Sequence, residues 1–357
     1  MKVVLIGVGQ AGGKVAQSIV EFDYEMGFEA IQDAFAVNTA ASDLQALDLD
    51  SMLIGQDRVK GHGVGGDNEL GAEIMQEEAT EVLDQLGERI HSEVEAVMIV
   101  AGLGGGTGSG GAPALSKELR RIYDIPIYVL GILPGRDEGS IYQTNAGRSL
   151  KTVARESDAT LLIDNDAWRE SGESVEEGYE SINEQISQRV GLLLASGEIV
   201  DGVAESVVDS SEIINTLRGS GIASLGYATA KASVDAGENV NTITSITRSA
   251  LLTGMSLPDA VDAEAALLVI AGNPDRISRK GVERARKWVE EETGSLQVRG
   301  GDFPIDTERL GALVLLGGVE RSRRVEEFMQ RAREARSERE QRDPAETFQS
   351  EELEDLY

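Results

Sequence analysis

The 357 residues carry 63 Asp and Glu against 33 Lys and Arg, a net charge of −30, so direct binding of nucleic acid or insertion into an anionic membrane is disfavoured; 25 Arg against 8 Lys on so acidic a surface suits a high-salt, halophilic cytoplasm, where screening relieves self-repulsion. No Cys is present, which excludes disulfides and thiolate metal sites, and His62 and His91 are too few and too far apart for a zinc site. No apolar run approaches the ~20 residues of a membrane span, and Met1 to Ile6 reads as the start of the fold rather than a signal peptide, which predicts a soluble, cytoplasmic protein with room for two domains.

The first element is a buried strand, Val3 to Gly7, followed by Gly7-Val8-Gly9-Gln10-Ala11-Gly12-Gly13-Lys14 and a helix over Val15 to Phe22. This is formally the GxGxxG of dinucleotide-binding folds, so an NAD-dependent oxidoreductase must be weighed. It is not a Walker A loop, because Val8 stands five before Gly13 and Val15 follows Lys14. A dehydrogenase closes its second strand with an acid for the ribose. Here Ala34 to Val37 ends in Asn38-Thr39, and no catalytic His or Lys site is evident.

A short strand over Met52 to Ile54 leads to Gly61-His-Gly-Val-Gly65-Gly66-Asp67-Asn68, on its own a flexible turn, and then to a long amphipathic helix over Glu69 to Ile90. Glu95 to Val100 is a strand buried on both faces. It runs into Ala101-Gly102-Leu103-Gly104-Gly105-Gly106-Thr107-Gly108-Ser109-Gly110-Gly111, and the helix Ala112 to Ile122 follows. Seven glycines framing Thr107 and Ser109 at a strand-to-helix junction are more than a surface turn. Backbone without Cβ approaches a ligand closely, and its N–H groups converge on an anion at the helix start. A di- or triphosphate is the natural guest.

Gly104-Gly-Gly-Thr-Gly-Ser-Gly110 resembles the GGGTGSG phosphate signature of the tubulin and FtsZ superfamily, and the order of the other motifs is most like its archaeal tubulin-like CetZ branch. The resemblance implies a Rossmann-like parallel-sheet α/β GTPase domain (1–172), a central linking helix (173–200), a smaller α/β C-terminal domain (201–319) and a charged helix with an acidic tail (320–357). It implies GTP or GDP as ligand. Gly9, Gln10, Ala11, Gly12, Gly13 and Lys14 then form the first nucleotide loop, Asn38 with Thr39 the second, Gly65 and Gly66 the third, and Gly104, Gly105, Gly106, Thr107, Gly108 and Ser109 the fourth. Asp67 or Glu69 would help to hold a hydrated Mg²⁺, an ion that prefers carboxylates and keeps several waters.

Further along, the strand Pro126 to Leu133 enters Pro134-Gly135-Arg136-Asp137-Glu138-Gly139. Glu138 matches the family's ribose position, and Tyr142 stands where bacterial FtsZ typically has Arg. The strand Thr160 to Ile163 ends in Asp164-Asn165-Asp166, where Asn165 matches the reader of the guanine edge, chemistry that an amide suits. On the helix Ser174 to Ala195, Tyr179 and Asn183 lie four apart on one face and resemble the pair that stacks on guanine and bonds it.

Val207-Val-Asp209-Ser210-Ser211-Glu212-Ile213 places two carboxylates three apart at a probable helix start. A structural reading has Ser210 or Ser211 as cap with Glu212 in the first turn. The family's catalytic loop runs Asn-x-Asp-x-x-Asp or Glu, which Asp209 and Glu212 fit, with Val207 in the Asn position. The resemblance places that loop at the opposite end of the molecule, so it would complete the site of the next subunit in a head-to-tail homopolymer. A structural filament with little hydrolysis is the alternative that Val207 raises. A role in cell shape or division is implied by resemblance only.

Ala265 to Ala271 and Leu310 to Leu316 are strands with a helix over Ser278 to Glu292 between them, and Leu296 to Val298 is a shorter strand candidate. Glu320 to Arg342 mixes Glu and Arg with few apolar residues and reads as a solvated helix. Residues 343–357 hold six acids and no base, which predicts disorder, with Phe348, Leu353, Leu356 and Tyr357 as a candidate docking peptide for protein partners.

Overall fold

Short apolar runs rich in Val, Ile, Leu and Ala become strands covered on both faces, as parallel sheets require. The computed structural model describes residues 1–168, 175–198 and 208–341. In chain order, β1 (Val3–Val8) leads to α1 (Gly9–Met26), β2 (Ile31–Asn38), α2 (Ala41–Gln45), β3 (Asp50–Leu53), α3 (Gln56–Val59), α4 (Asn68–Glu77), α5 (Ala79–Gly87) and β4 (Ala96–Gly102). There follow α6 (Thr107–Ile122), β5 (Ile127–Leu133), α7 (Ser140–Glu156), β6 (Ala159–Asp164), α8 (Val175–Ser196) and α9 (Ser210–Leu217). The remainder is β7 (Gly221–Lys231), α10 (Val240–Leu252), β8 (Ala263–Gly272), α11 (Arg279–Thr293), β9 (Gln297–Pro304), β10 (Arg309–Val319) and α12 (Arg323–Gln341).

All described strands belong to one sheet of order β3-β2-β1-β4-β5-β6-β7-β10-β8-β9. From β3 to β6 every pairing is parallel. Ala159 to Leu161 of β6 then pair in parallel with Gly221 to Ala223 of β7, which joins the first half of the sheet to the mixed second half. There β10 lies antiparallel to both β7 and β8. The hydrophobic core divides by face of the sheet: one cluster gathers α4, α5, α6, α7, α10, α11 and Phe328, the other α1, α8 and α9. Among the described residues, no helix is long and apolar enough to cross a membrane.

The structure corrects several expected elements. The helix expected over Glu69 to Ile90 is broken at Glu78, whose side chain accepts a 2.6 Å hydrogen bond from the Gly55 N–H while its backbone leaves the helical region. The helix expected to begin at Val15 begins at Gly9, directly after β1. Helix α12 is not a solvated rod: Phe328 is fully buried, and the Arg324 side chain is only 2% exposed. The catalytic-loop Val207 and the tail with its candidate docking peptide lie outside the described residues.

Candidate functional site

Three helices start at the carboxyl edge of the parallel strands with no side-chain cap: α1 after Val8, α6 after Gly106 and α7 after Gly139. First-turn N–H groups left unsatisfied in this way carry partial positive charge and suit an anion. A cavity of about 520 Å³ opens there, lined by Gly9, Gln10, Ala11, Lys14, Asn38, Gly65, Gly66, Gly104, Gly105, Gly106, Thr107, Gly108, Glu138, Asn165, Tyr179 and Asn183. Motifs from the first to the last third of the first 190 residues thus converge on one concavity, because β1, β4, β5 and β6 all point their carboxyl ends at it.

Close backbone packing explains the glycines at the centre. Gly9 has φ +74°, and a Cβ there would sit 2.9 Å from the Gly108 nitrogen, so the two helix starts abut. Gly12 and Gly13 do not line the cavity: a Cβ on Gly12 would collide with the Val100 carbonyl, and one on Gly13 would lie 2.6 Å from Leu47. Gly12 thus serves the packing of α1 on β4, and Gly13 the packing of α1 on the segment after α2. Ser109 also turns away, donating its hydroxyl to the Gly105 carbonyl and lining a separate groove between α4, α6 and α7.

Side chains then fix the loops. Asn38, buried, accepts from the N–H groups of Thr39 at 2.8 Å and Ala40 at 3.3 Å and donates to Asp43 at 3.1 Å. The hydroxyls of Thr39 and Thr107 meet at 2.7 Å, tying the second loop to the fourth. Glu138 accepts from the Gly135 N–H at 2.8 Å, which folds its own loop back on itself. Asn165 is buried and donates its N–H to the Leu133 carbonyl at 3.3 Å, whereas Tyr179 is 43% exposed at the rim.

The two expected metal ligands do not reach the cavity. Asp67 caps α4, accepting from the Leu70 N–H at 3.0 Å. Glu69 faces the neighbouring groove and pairs with Arg148 at 3.6 Å. The carboxylates that do line the cavity are Glu138 and Asp43, the latter accepting from the Asn38 amide at 3.1 Å. One carboxylate beside a polyphosphate is a donor set that Mg²⁺ accepts, since it keeps its waters and takes the remaining oxygens from phosphate.

At the other edge of the sheet stand Asp209 and Glu212. Asp209 is exposed and is itself the cap of α9, accepting from the Glu212 N–H at 3.1 Å and the Ser211 hydroxyl at 2.5 Å, so neither serine is the cap. Ser210 instead donates to Glu95 at 2.5 Å, and Glu95 immediately precedes β4. The fourth nucleotide loop follows the far end of that strand. With ~3.3 Å per residue, β4 separates Glu95 from the glycine loop by roughly 20 Å. The two acids differ in environment. The Ser211 hydroxyl, with backbone N–H groups, holds the Asp209 carboxyl below its ordinary range. Burial, then the charge of Asp209, push Glu212 up. That splits the pair into a fixed anion and a better proton acceptor.

Two family models divide the chain: the GTPase domain of the tubulin/FtsZ family over residues 2–173, and the C-terminal domain of tubulin-like CetZ over residues 172–334. The chain belongs to the tubulin/FtsZ family, in its CetZ branch. It is 65% identical to the tubulin-like protein CetZ2 of Haloferax volcanii over all of both chains, and 50% identical to CetZ1 of the same organism over 94% of this chain and 92% of that one. Among solved structures, a GTPγS-bound protofilament of H. volcanii CetZ2 superposes with a TM-score of 0.91 at 65% identity, covering 95% of this chain and all of the other. A GDP-bound monomer of H. volcanii CetZ1 gives 0.88 at 51%, covering 94% and 100%. The family fold extends to the FtsZ of M. jannaschii, with a TM-score of 0.72 at 23% identity over 89% of this chain and 88% of that one.

Behind the cavity, its loops are tied together by a residue that the motifs did not reveal. Asn145, buried in α7, donates its amide to the carbonyls of Gly66 at 2.7 Å, Gly104 at 3.0 Å and Gly105 at 3.4 Å, clamping the third loop to the fourth. Its only signal in the sequence is an Asn inside a helix, where that residue is disfavoured unless its side chain has work elsewhere. His62, bridged through its backbone to Ala40, lines the cavity, as does Tyr142.

Proposed function

We propose that this CetZ-family chain binds GTP in the cavity between α1, α6 and α8 and hydrolyses it only at the junction of two subunits in a head-to-tail filament in the cytoplasm of a halophile. The observation that carries the reading is the separation of parts within one chain. The phosphate cradle lies at the carboxyl edge of the parallel strands, with the exposed Asp209 and the half-buried Glu212 at the amino edge. The H. volcanii CetZ2 structure, a GTPγS-bound protofilament, supports the same arrangement for this chain.

In this mechanism the N–H groups at the starts of α1 and α6 hold the phosphates, with Lys14 adding charge. Asn165 and Asn183 read the guanine edge, Tyr179 covers its face and Glu138 accepts from the ribose hydroxyls. From the next subunit, Glu212 orients the attacking water and takes its proton, while Asp209 holds the start of α9 in place. Asp43 is the cavity carboxylate that would hold Mg²⁺, which when bound would supply charge neutralisation on the transferred group. The contact is heterologous and does not close, so hydrolysis and growth of the polymer are coupled.

Phosphate release measured against protein concentration tests this. A shared site predicts a steeper than linear rise, whereas a site complete within one chain predicts strict proportionality, and binding of NAD in preference to GTP would overturn the reading altogether.

A further inference from the structure

Helix α12 carries a buried cation. Its Phe328 and Ala332 pack so closely on α7 that a Cβ at Gly147 would collide with the Phe328 carbonyl and lie 2.8 Å from Ala332. This seats Arg324, one turn earlier, between the two loops that form the ribose and base end of the cavity. Its Nη2 donates to the Pro134 carbonyl at 2.6 Å, where the Glu138 loop begins. Its Nε donates to Asp164 at 3.1 Å and Nη2 reaches Asp166 at 3.4 Å, the residues on either side of Asn165. The guanidinium lies 4.3 Å over the Phe328 ring, and Nη1 pairs with Glu327 at 3.3 Å.

A second arginine repeats the link from the surface. Arg136, inside the Glu138 loop, bonds Asp166 through its backbone N–H at 3.0 Å and its side chain at 3.3 Å, and reaches Glu327 at 3.4 Å. The two loops are otherwise joined near Asn165 by its backbone bond to Leu133. A planar guanidinium with fixed donors is the side chain suited to lock a carbonyl and two carboxylates at once. Charges this deeply buried persist only when every partner is in place.

We propose that Arg324 is a positioning residue for nucleotide recognition: from the C-terminal helix it clamps the base loop around Asn165 to the ribose loop around Glu138, so that affinity and base preference depend on α12 being docked. This rests on the cavity being the GTP site proposed above. The C-terminal segment thereby becomes a handle on nucleotide affinity, since anything that lifts α12 loosens both loops while leaving the phosphate cradle of α1 and α6 untouched.

The test is titration of the full chain with GDP and with IDP, which lacks the 2-amino group of guanine, by calorimetry at a temperature where circular dichroism shows each variant folded. Arg324→Met is expected to weaken GDP at least tenfold and to narrow the preference for GDP over IDP. Arg324→Lys keeps the charge without the fork and is expected to fall between. Because Arg324→Met strands the buried Asp164, the double variant Arg324→Met with Asp164→Asn serves as a second probe: it is expected to recover thermal stability yet stay weak in GDP. Unchanged affinity and base preference in the folded variants would overturn the proposal, leaving Arg324 a packing residue. A wild-type chain that binds no GDP would instead overturn the reading of the cavity beneath it.

Discussion

The two edges of the parallel half-sheet are built on opposite principles. The carboxyl edge offers backbone to the proposed nucleotide: uncapped helix starts, glycines packed against one another and buried amides that fix loop to loop. The amino edge presents side chains, with Asp209 exposed and Glu212 half-buried. Preorganised donors suit a charged ground state that must be bound before assembly, whereas an acid that acts only in the transition state can wait on another molecule. In the mechanism proposed above, division of the site between two edges makes one chain a competent binder and an incompetent hydrolase.

Variants at each edge sharpen this contrast. The largest effect is expected from Gly105→Asp. A Cβ at Gly105 meets nothing within 4 Å, so the fold tolerates the change, yet the new carboxylate points like charge at the phosphates. GTP affinity should fall about a hundredfold, ~2.7 kcal/mol, in a binding titration with the circular dichroism spectrum unaltered. At the opposite edge, Glu212→Ala should leave GTP binding intact and slow steady-state phosphate release at least tenfold, ~1.4 kcal/mol of barrier.

Asn145→Ala tests how far the cradle depends on its clamp. Loss of a buried donor leaves the Gly66 and Gly104 carbonyls short of a partner, which should cost about 1–3 kcal/mol in denaturant unfolding and weaken GTP several-fold. A last effect concerns stability in β9 and not nucleotide binding. Burial raises the Asp302 carboxyl from 3.8 to about 6. As pH rises between those values the unfolded state ionises first, so this group's contribution to stability falls and is lost above the upper value. Asp302→Asn should therefore melt with the wild type near pH 4 and increasingly above it as pH approaches 7, in paired thermal scans.

What is local was legible in the sequence. GGGTGSG after an apolar run sets strand, turn and helix within a dozen residues, and the order of motifs located most of the residues that line the cavity. Expectation and structure part where a residue's task is set by distant chain. Gly12, Gly13 and Ser109 look like ligand contacts by position but face packing neighbours, and Asp67 and Glu69 are engaged by Leu70 and Arg148. Strand β7, made largely of Gly, Ala and Ser, lacks the apolar signature because its partners β6 and β10 supply the bulk. Helix α12 was expected, but its docking was hidden for a similar reason: among so many charges, Phe328 and one buried Arg decide which face docks, and no periodicity reports an ion pair with a residue 160 positions earlier.

Mixing the two edge variants tests the central claim most directly. Gly105→Asp has an intact acid pair and a crippled cradle, and Glu212→Ala has an intact cradle and lacks the Glu212 carboxylate. Each alone should release phosphate at background, and the mixture should recover turnover at junctions where GTP held by a Glu212→Ala subunit meets the intact Glu212 of a Gly105→Asp neighbour. A mixture as silent as its components, with both proteins folded and co-assembled, would contradict the account.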